Sequence, residues 1–249
     1  MIPFPRKKKF NFIKSFFYQL DKVFFAKSLF KIKIYTYLEW IFERLAFEHY
    51  GRYRSAHGMP HMTTDVLMPF LQKFLTKEMR IIDLGCGRGE KTVLMANYVS
   101  KVVGIDHNDS ELKFALSKKE NQGINNLELY NEDVVGFLER EVGLNFDVLV
   151  CNHIIEHLES PFEFLKKIIN SFQYIYIEVP DYESTAINKI RIDLKLDLLY
   201  KDDDHVLEFN KDSLQAQLSV LGIKVVEQRS IYGVLQLWCE NLNFKCRKI

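Results

Sequence analysis

The chain has 249 residues, 47% hydrophobic and 27% charged, with a net charge of +1; this is the balance of an ordinary globular protein, long enough for one large domain or one domain with an extension. Near-neutral charge gives no electrostatic footprint for nucleic acid. Cys86, Cys151, Cys239 and Cys246 form no C-x-x-C pair, which argues against a disulfide framework or zinc finger and suits a reducing compartment.

The first 33 residues hold eight lysines and Arg6 against one acid, Asp21. Phe16, Phe17, Leu20, Val23, Phe24 and Phe30 fall near helical spacing. Lysines 14, 22, 27, 31 and 33 break up any signal-peptide core. With no run of about eighteen apolar residues to cross a bilayer, the expected location is cytoplasmic, with or without peripheral attachment. The basic, aromatic helix either docks on an anionic membrane or packs on its own domain or a second copy, as a homodimer contact. Arg52 to His61 is polar, aromatic and turn-rich, and reads as a lid or a linker. The expected division is 1–59, a helical extension and lid, and 60–249, the main domain.

From residue 79 strands alternate with helices. Apolar runs predict strands over 80–84, 101–105, 126–130, 146–150 and 174–179, with helices over 90–98 and 110–121 between them. A further helix opens at Ser160-Pro161, where serine caps and proline takes the first helical position. After an insertion from Tyr182 to Leu207, helical near 187–194, come a helix over 211–221 and strands over 224–228 and 234–238. This order implies an α/β fold, a mostly parallel sheet covered on both faces. Ligands of such sheets bind at the carboxyl ends of the strands.

The first strand ends in Asp83-Leu84-Gly85-Cys86-Gly87-Arg88-Gly89-Glu90. Close glycines let backbone approach a ligand, and the next helix N-terminus offers free N–H groups. Asp106 ends the second strand, where a carboxylate can accept both hydroxyls of a ribose. Asn131-Glu132-Asp133-Val134 follows the third, where an acid can meet an adenine amino group. Each feature alone reads equally as a turn or helix cap; three in register point to a nucleoside site.

On IIDLGCGRGE, VVGIDHND, NEDV and FDVLVCNHIIEHLESP, residues 60–240 resemble the class I S-adenosylmethionine-dependent methyltransferases, in the small-molecule branch with a Glu-His-Leu motif after strand four. The resemblance implies a Rossmann-like sheet and S-adenosyl-L-methionine as cofactor. It implies cofactor contacts from Asp83, Gly85, Gly87, Gly89, Asp106, His107, Asp133, Val134 and Asn152. The usual Pro-Gly-Gly before strand five is absent; Asn170-Ser171-Phe172-Gln173 stands there. Arg52 or Arg54 is a candidate for the cofactor carboxylate.

His153 to His157 also spell H-x-x-E-H, a zinc-protease spacing that requires a continuous helix. Here a strand precedes it and Pro161 follows closely, so a loop or single turn is expected and no metal is assigned. Asp181, Asp202 to Asp204 and Glu178 form an alternative cation set, read more simply as solvated acids. A hydroxyl acceptor needs a base, and histidine titrates in the right range. The candidates are His153, nearest the strand end; His157, read first as a loop brace; and His205, read also as a surface histidine in an acidic run. The expected reaction is O-methylation of a small molecule or a sugar or glycan intermediate. N-methylation of a small amine, or a non-catalytic cofactor-binding regulator or scaffold, are the alternatives. The absence of an Asn-Pro-Pro-Tyr motif after strand four speaks against nucleic-acid acceptors.

Overall fold

The structure, a computed structural model, describes residues 11–23, 28–57, 62–140, 146–196 and 204–244. Its sheet contains β1 (Arg80–Leu84), β2 (Lys101–Ile105), β3 (Leu127–Tyr130), β4 (Val148–Asn152), β5 (Tyr174–Pro180), β6 (Ile223–Ile231) and β7 (Val234–Asn241). The described helices are α1 (Asn11–Val23), α2 (Leu29–Ala56), α3 (Met62–Gln72), α4 (Glu90–Met95), α5 (Asp109–Asn121), α6 (Val134–Arg140), α7 (Pro161–Ile168), α8 (Ala186–Asp193) and α9 (Lys211–Val220).

The strands lie in the order β3-β2-β1-β4-β5-β7-β6. β1 to β5 are parallel, and β7 runs antiparallel between β5 and β6. This is the mostly parallel sheet that the alternation implied, in the Rossmann-like form that the resemblance implied. Successive strand residues point to opposite faces, and both faces are covered. Ile82, Val103 and Leu149 join Phe137 of α6, Leu165 of α7 and Leu214 of α9 in one core. Ile81, Val102, Val148 and Val150 join Leu71 of α3 and Met95 of α4 in the other. Burial on both sides explains why the strands read as continuous apolar runs.

β6 and β7 meet at Tyr232-Gly233, with φ of 50° and 77°. Ile231 pairs with Val234, so this is a two-residue hairpin of the kind whose twist matches its strands.

Several expectations shift. β4 starts two residues late because Asp147 anchors its approach to β1, donating to the Arg80 carbonyl (2.8 Å) and accepting from the Arg80 amide (2.8 Å). Pro161 does open α7, but Ser160 makes no side-chain cap bond. Arg52 and Arg54 are not in a turn-rich loop. They sit in the last turns of α2, where Arg52 meets Glu48 and Arg54 meets Tyr50, each one turn back; residues 58–61 of the expected lid lie outside the described residues.

Contacts divide the chain into Met1–Glu43 and Arg44–Ile249. In the first unit Asp21 is neutralised internally, accepting from Lys31 Nζ (2.8 Å) and Tyr35 OH (2.6 Å). Phe16, Phe17 and Phe30 are exposed. Arg6 to Lys9, Phe4, Phe10, Phe24, Phe25 and Lys27 lie outside the described residues. Among the described residues no helix is long and apolar enough to cross a membrane.

Candidate functional site

The glycine turn after β1 is held from below. The Gly85 and Cys86 amides donate to the Ile105 carbonyl at 2.8 and 3.1 Å. Gly87 has φ of 51°, and a Cβ built on it would meet no atom within 4 Å. The left-handed conformation favours glycine, and the open side is where a ligand can lie against backbone. At Gly89 (φ 71°) the reason is packing, since a Cβ would come within 2.8 Å of Ala115.

Asp106 stands opposite this turn. One carboxylate oxygen accepts the Gly87 amide (2.8 Å) and the other the Asn108 amide (2.8 Å). A carboxylate has about four lone-pair sites, so each oxygen keeps acceptor capacity for a ligand hydroxyl. His107, beside it, has its side chain 93% exposed. Asp133 caps α6, its Oδ1 accepting the Val135 and Gly136 amides at 2.9 Å each. Val134 is buried in the core, so only its backbone is in place for a ligand.

Asp83 is buried, accepting from Thr92 Oγ1 (2.7 Å) and Asn152 Nδ2 (3.2 Å). Burial pushes its carboxyl up to about 6, against the opposing pull of Thr92, Lys91 and Asn152. Asn152 is thereby oriented, and its Oδ1 is buried with no hydrogen-bond partner among the described residues. An orphaned acceptor beside an open glycine turn and a ribose-type carboxylate fits S-adenosylmethionine, which carries hydroxyl and amino donors.

At the ends of β4 and β5 lies a buried ionic cluster. Glu178 has no solvent exposure. It accepts from Tyr176 OH (2.7 Å) and Gln236 Nε2 (3.0 Å), pairs with His153 Nε2 (3.1 Å), and takes a short bond from Lys91 Nζ. His153 Nδ1 meets Glu156 Oε1 at 3.0 Å. Burial alone would lower the His153 value, but its bonds to Glu156 and Glu178 and their charges raise it to about 9. Burial alone would raise Glu178, but His153 and Lys91 hold it down at about 2. His153 also has φ of 48°, a strained conformation for a residue with a Cβ.

The next three residues, Ile155–His157, form one 3-10 turn. The H-x-x-E-H stretch is therefore not helical throughout, as the flanking strand and proline predicted. The Glu156 carbonyl accepts the Val206 (2.9 Å) and Leu207 (3.0 Å) amides. His157 Nδ1 meets the Asp204 carbonyl (3.2 Å), and His205 Nδ1 meets Glu208 Oε1 (2.9 Å). The rings of His157 and His205 lie edge to face, 4.9 Å apart. His205 is buried, so the surface reading of it is corrected: the backbone bonds to Glu156 pull its loop inward. Of the alternative cation set, Glu178, Asp181 and Asp204 lie among the described residues. Glu178 is saturated, Asp181 is taken by Ser230, and Asp202 and Asp203 lie outside the described residues.

Lys91, Tyr176 and Gln236 were not foreseen. The available signal was Glu178 itself, a lone charge inside the apolar strand YIYIEVP, which demands partners when buried.

The described geometry has recognisable counterparts. A family model described as a methyltransferase domain matches residues 75–211, more than half of the chain. The ubiquinone biosynthesis O-methyltransferase of Acinetobacter baylyi is 30% identical over 87 residues, covering 35% of this chain and 36% of that protein. The ribosomal protein L11 methyltransferase of Thermosipho melanesiensis is 32% identical over 129 residues, 47% of this chain and 48% of that protein. The matches thus span a third to a half of these relatives' length. Among solved structures, an S-adenosylmethionine-dependent methyltransferase from Aquifex aeolicus aligns with a TM-score of 0.54 at 18% identity, covering 70% of this chain and 89% of that one. The magnesium protoporphyrin IX methyltransferase of Synechocystis aligns at 0.52 and 13% identity, covering 80% and 83%. These likenesses agree with the sheet order and the glycine turn: the chain belongs to the methyltransferase-domain family and has the class I Rossmann-like fold.

Proposed function

We propose that the protein methylates a hydroxyl of a small molecule or of a sugar or glycan intermediate, within the small-molecule branch of the class I enzymes. The observation that carries this reading is the pairing of His157 and His205 beside Glu156, in the turn that follows β4. A hydroxyl acceptor must lose its proton as it attacks, and such a polar wall serves that need. The relatives named above act on different acceptors, so their names support methyl transfer more than any one substrate.

S-adenosylmethionine supplies a sulfonium methyl carbon already activated for displacement. The chain's part is to bind, align and dry the site. In this reading Asp106 accepts the ribose hydroxyls, the turn at Gly85–Gly89 lies along the donor, Asp133 and the Val134 backbone edge the adenine, and Asn152 Oδ1 accepts from the donor's amino group. His153 is committed through both nitrogens, so we assign it the bracing of the loop. Proton removal falls to the His157 and His205 pair.

The test is incubation with isotopically methyl-labelled donor and pooled small phenols, diols and sugars, followed by mass spectrometry of the product. An alkali-stable methyl ether supports the reading. A methylated amine would replace it with N-methylation, and donor binding without turnover on any pool would favour the regulator. His157→Ala should lower turnover by roughly 100-fold with little change in donor affinity.

For the N-terminal unit we propose attachment to an anionic surface, supported by the lysine-rich sequence and the exposed Phe16, Phe17 and Phe30. Sedimentation with anionic vesicles should be lost on raising salt or on deleting residues 1–33. Loss of a dimer on the same deletion, without vesicle binding, would make it a subunit contact instead.

A further inference from the structure

We propose that Glu156, His157 and His205 form a binding site for a divalent transition-metal ion; this rests on the reading of the same wall as the acceptor side. One ligand atom of each residue lies within 4.8 Å of the others. The H-x-x-E-H stretch is not the continuous helix that a zinc-protease site requires. The fold supplies what the helix would have supplied: the first histidine turns away to Glu178, and His205 arrives from after β5 to take its place.

Three observations make this a built site rather than a chance cluster. Glu156 is fully buried, with one oxygen on His153 Nδ1 and Oε2 lacking any hydrogen-bond partner among the described residues. Such an atom costs free energy unless something meets it. Each histidine is held through Nδ1, His157 by the Asp204 carbonyl and His205 by Glu208. That is how metal-bound histidines are commonly oriented, with Nε2 directed at the ion and a carboxylate or carbonyl behind. Finally, the Val206 and Leu207 amides bond the Glu156 carbonyl, so backbone fixes the distance between the two ligand-bearing segments.

Two imidazoles and one carboxylate suit zinc, cobalt, manganese or iron better than magnesium, which prefers an all-oxygen shell. Three protein ligands leave coordination positions for an acceptor oxygen. A hydroxyl bound there gives up its proton to water more readily than in solution, so with the ion bound the two histidines serve as ligands and the ion replaces the base role given to them above.

The experiment uses the tag-free full chain, stripped with chelator, and titrates it with cobalt(II) followed by visible absorption and with zinc followed by elemental analysis after dialysis. About one equivalent of either ion per chain is expected, with cobalt absorption of a four- or five-coordinate site. His205→Ala and His157→Ala should each abolish retention of the ion, and Glu208→Gln should weaken it about 10–100-fold. S-adenosylmethionine affinity, measured by calorimetry on the same samples, reports whether each variant is folded. No ion retained by the wild-type chain, or retention unchanged in folded His157→Ala, overturns the proposal and leaves methyl transfer standing. Ion retained by a chain that fails to bind S-adenosylmethionine overturns the functional reading and leaves the metal site.

Discussion

At the ends of β2 and β3 the polar side chains are anchored nearby in sequence, while Asp83 at the end of β1 reaches Asn152 across 69 residues. Asp106 takes the Asn108 amide two residues on, Asp133 caps the helix that follows it, and the Asp106–Gly87 bond spans 19 residues. At the ends of β4 and β5 the partners come from far away. Lys91 reaches Glu178 across 87 residues of chain and Gln236 reaches it across 58. The donor side is thus a set of local turns presented by the sheet, whereas the acceptor side exists only once the sheet is complete. The first can be read in single motifs and should tolerate single changes. The second is a shared network, and removing one member leaves the others buried without compensation.

The largest effect is expected on the network side. Lys91→Met strips Glu178 of its fixed cation in a fully buried setting and should destabilise the protein by about 3–5 kcal/mol, measured by denaturant unfolding. Asn108→Ala removes a helix cap from the donor side, where the side chain accepts the Ser110 and Glu111 amides, and should cost only about 1 kcal/mol. Equal costs would break the contrast.

Function should show the reverse order. Asp106→Ala loses charge-assisted bonds of about 1.5–3 kcal/mol each, so S-adenosylmethionine affinity should fall at least tenfold by calorimetry. Lys91→Met, assayed below its unfolding temperature, should bind the donor far closer to normally.

A smaller effect sharpens the boundary between the two sides, where Asp83 orients Asn152. Burial pushes its carboxyl up from an ordinary 3.8 to about 6 in the fold. The folded state therefore holds the proton more tightly. The resulting stability is fully present below about pH 4 and is lost as pH rises through about 6. Asp83→Asn should remove that slope and stabilise the donor-free protein at neutral pH by about 1–3 kcal/mol, while weakening donor binding by misorienting Asn152. A variant with the wild-type pH slope would remove Asp83 from this role.

The same contrast explains what could be read in advance. IIDLGCGRGE, the acid ending β2 and the acid after β3 are each local and periodic, so the parallel sheet and the positions of Asp83, Asp106 and Asp133 were legible. α6 was missed because Val134–Arg140 is only 7 residues long and follows its strand almost directly. The location of His205 was not legible either. In sequence it closes an acidic run, and only the amide bonds to the Glu156 carbonyl bury it. Likewise the second partner of His153 was not legible, because nothing nearby in the chain announces Glu178.

The antiparallel β7 has a consequence for the order of synthesis. It enters the sheet between β5 and β6, so β6 cannot join until β7 has left the ribosome. Until then β5 is an edge strand, and its row of unpaired amides and carbonyls invites other strands to add on. Glu178 stands in that edge. A nascent chain therefore carries a charged residue on an open strand edge, a deterrent to mispairing. Gln236 then arrives with β7, and the charge that protected the incomplete sheet becomes the centre of the finished network.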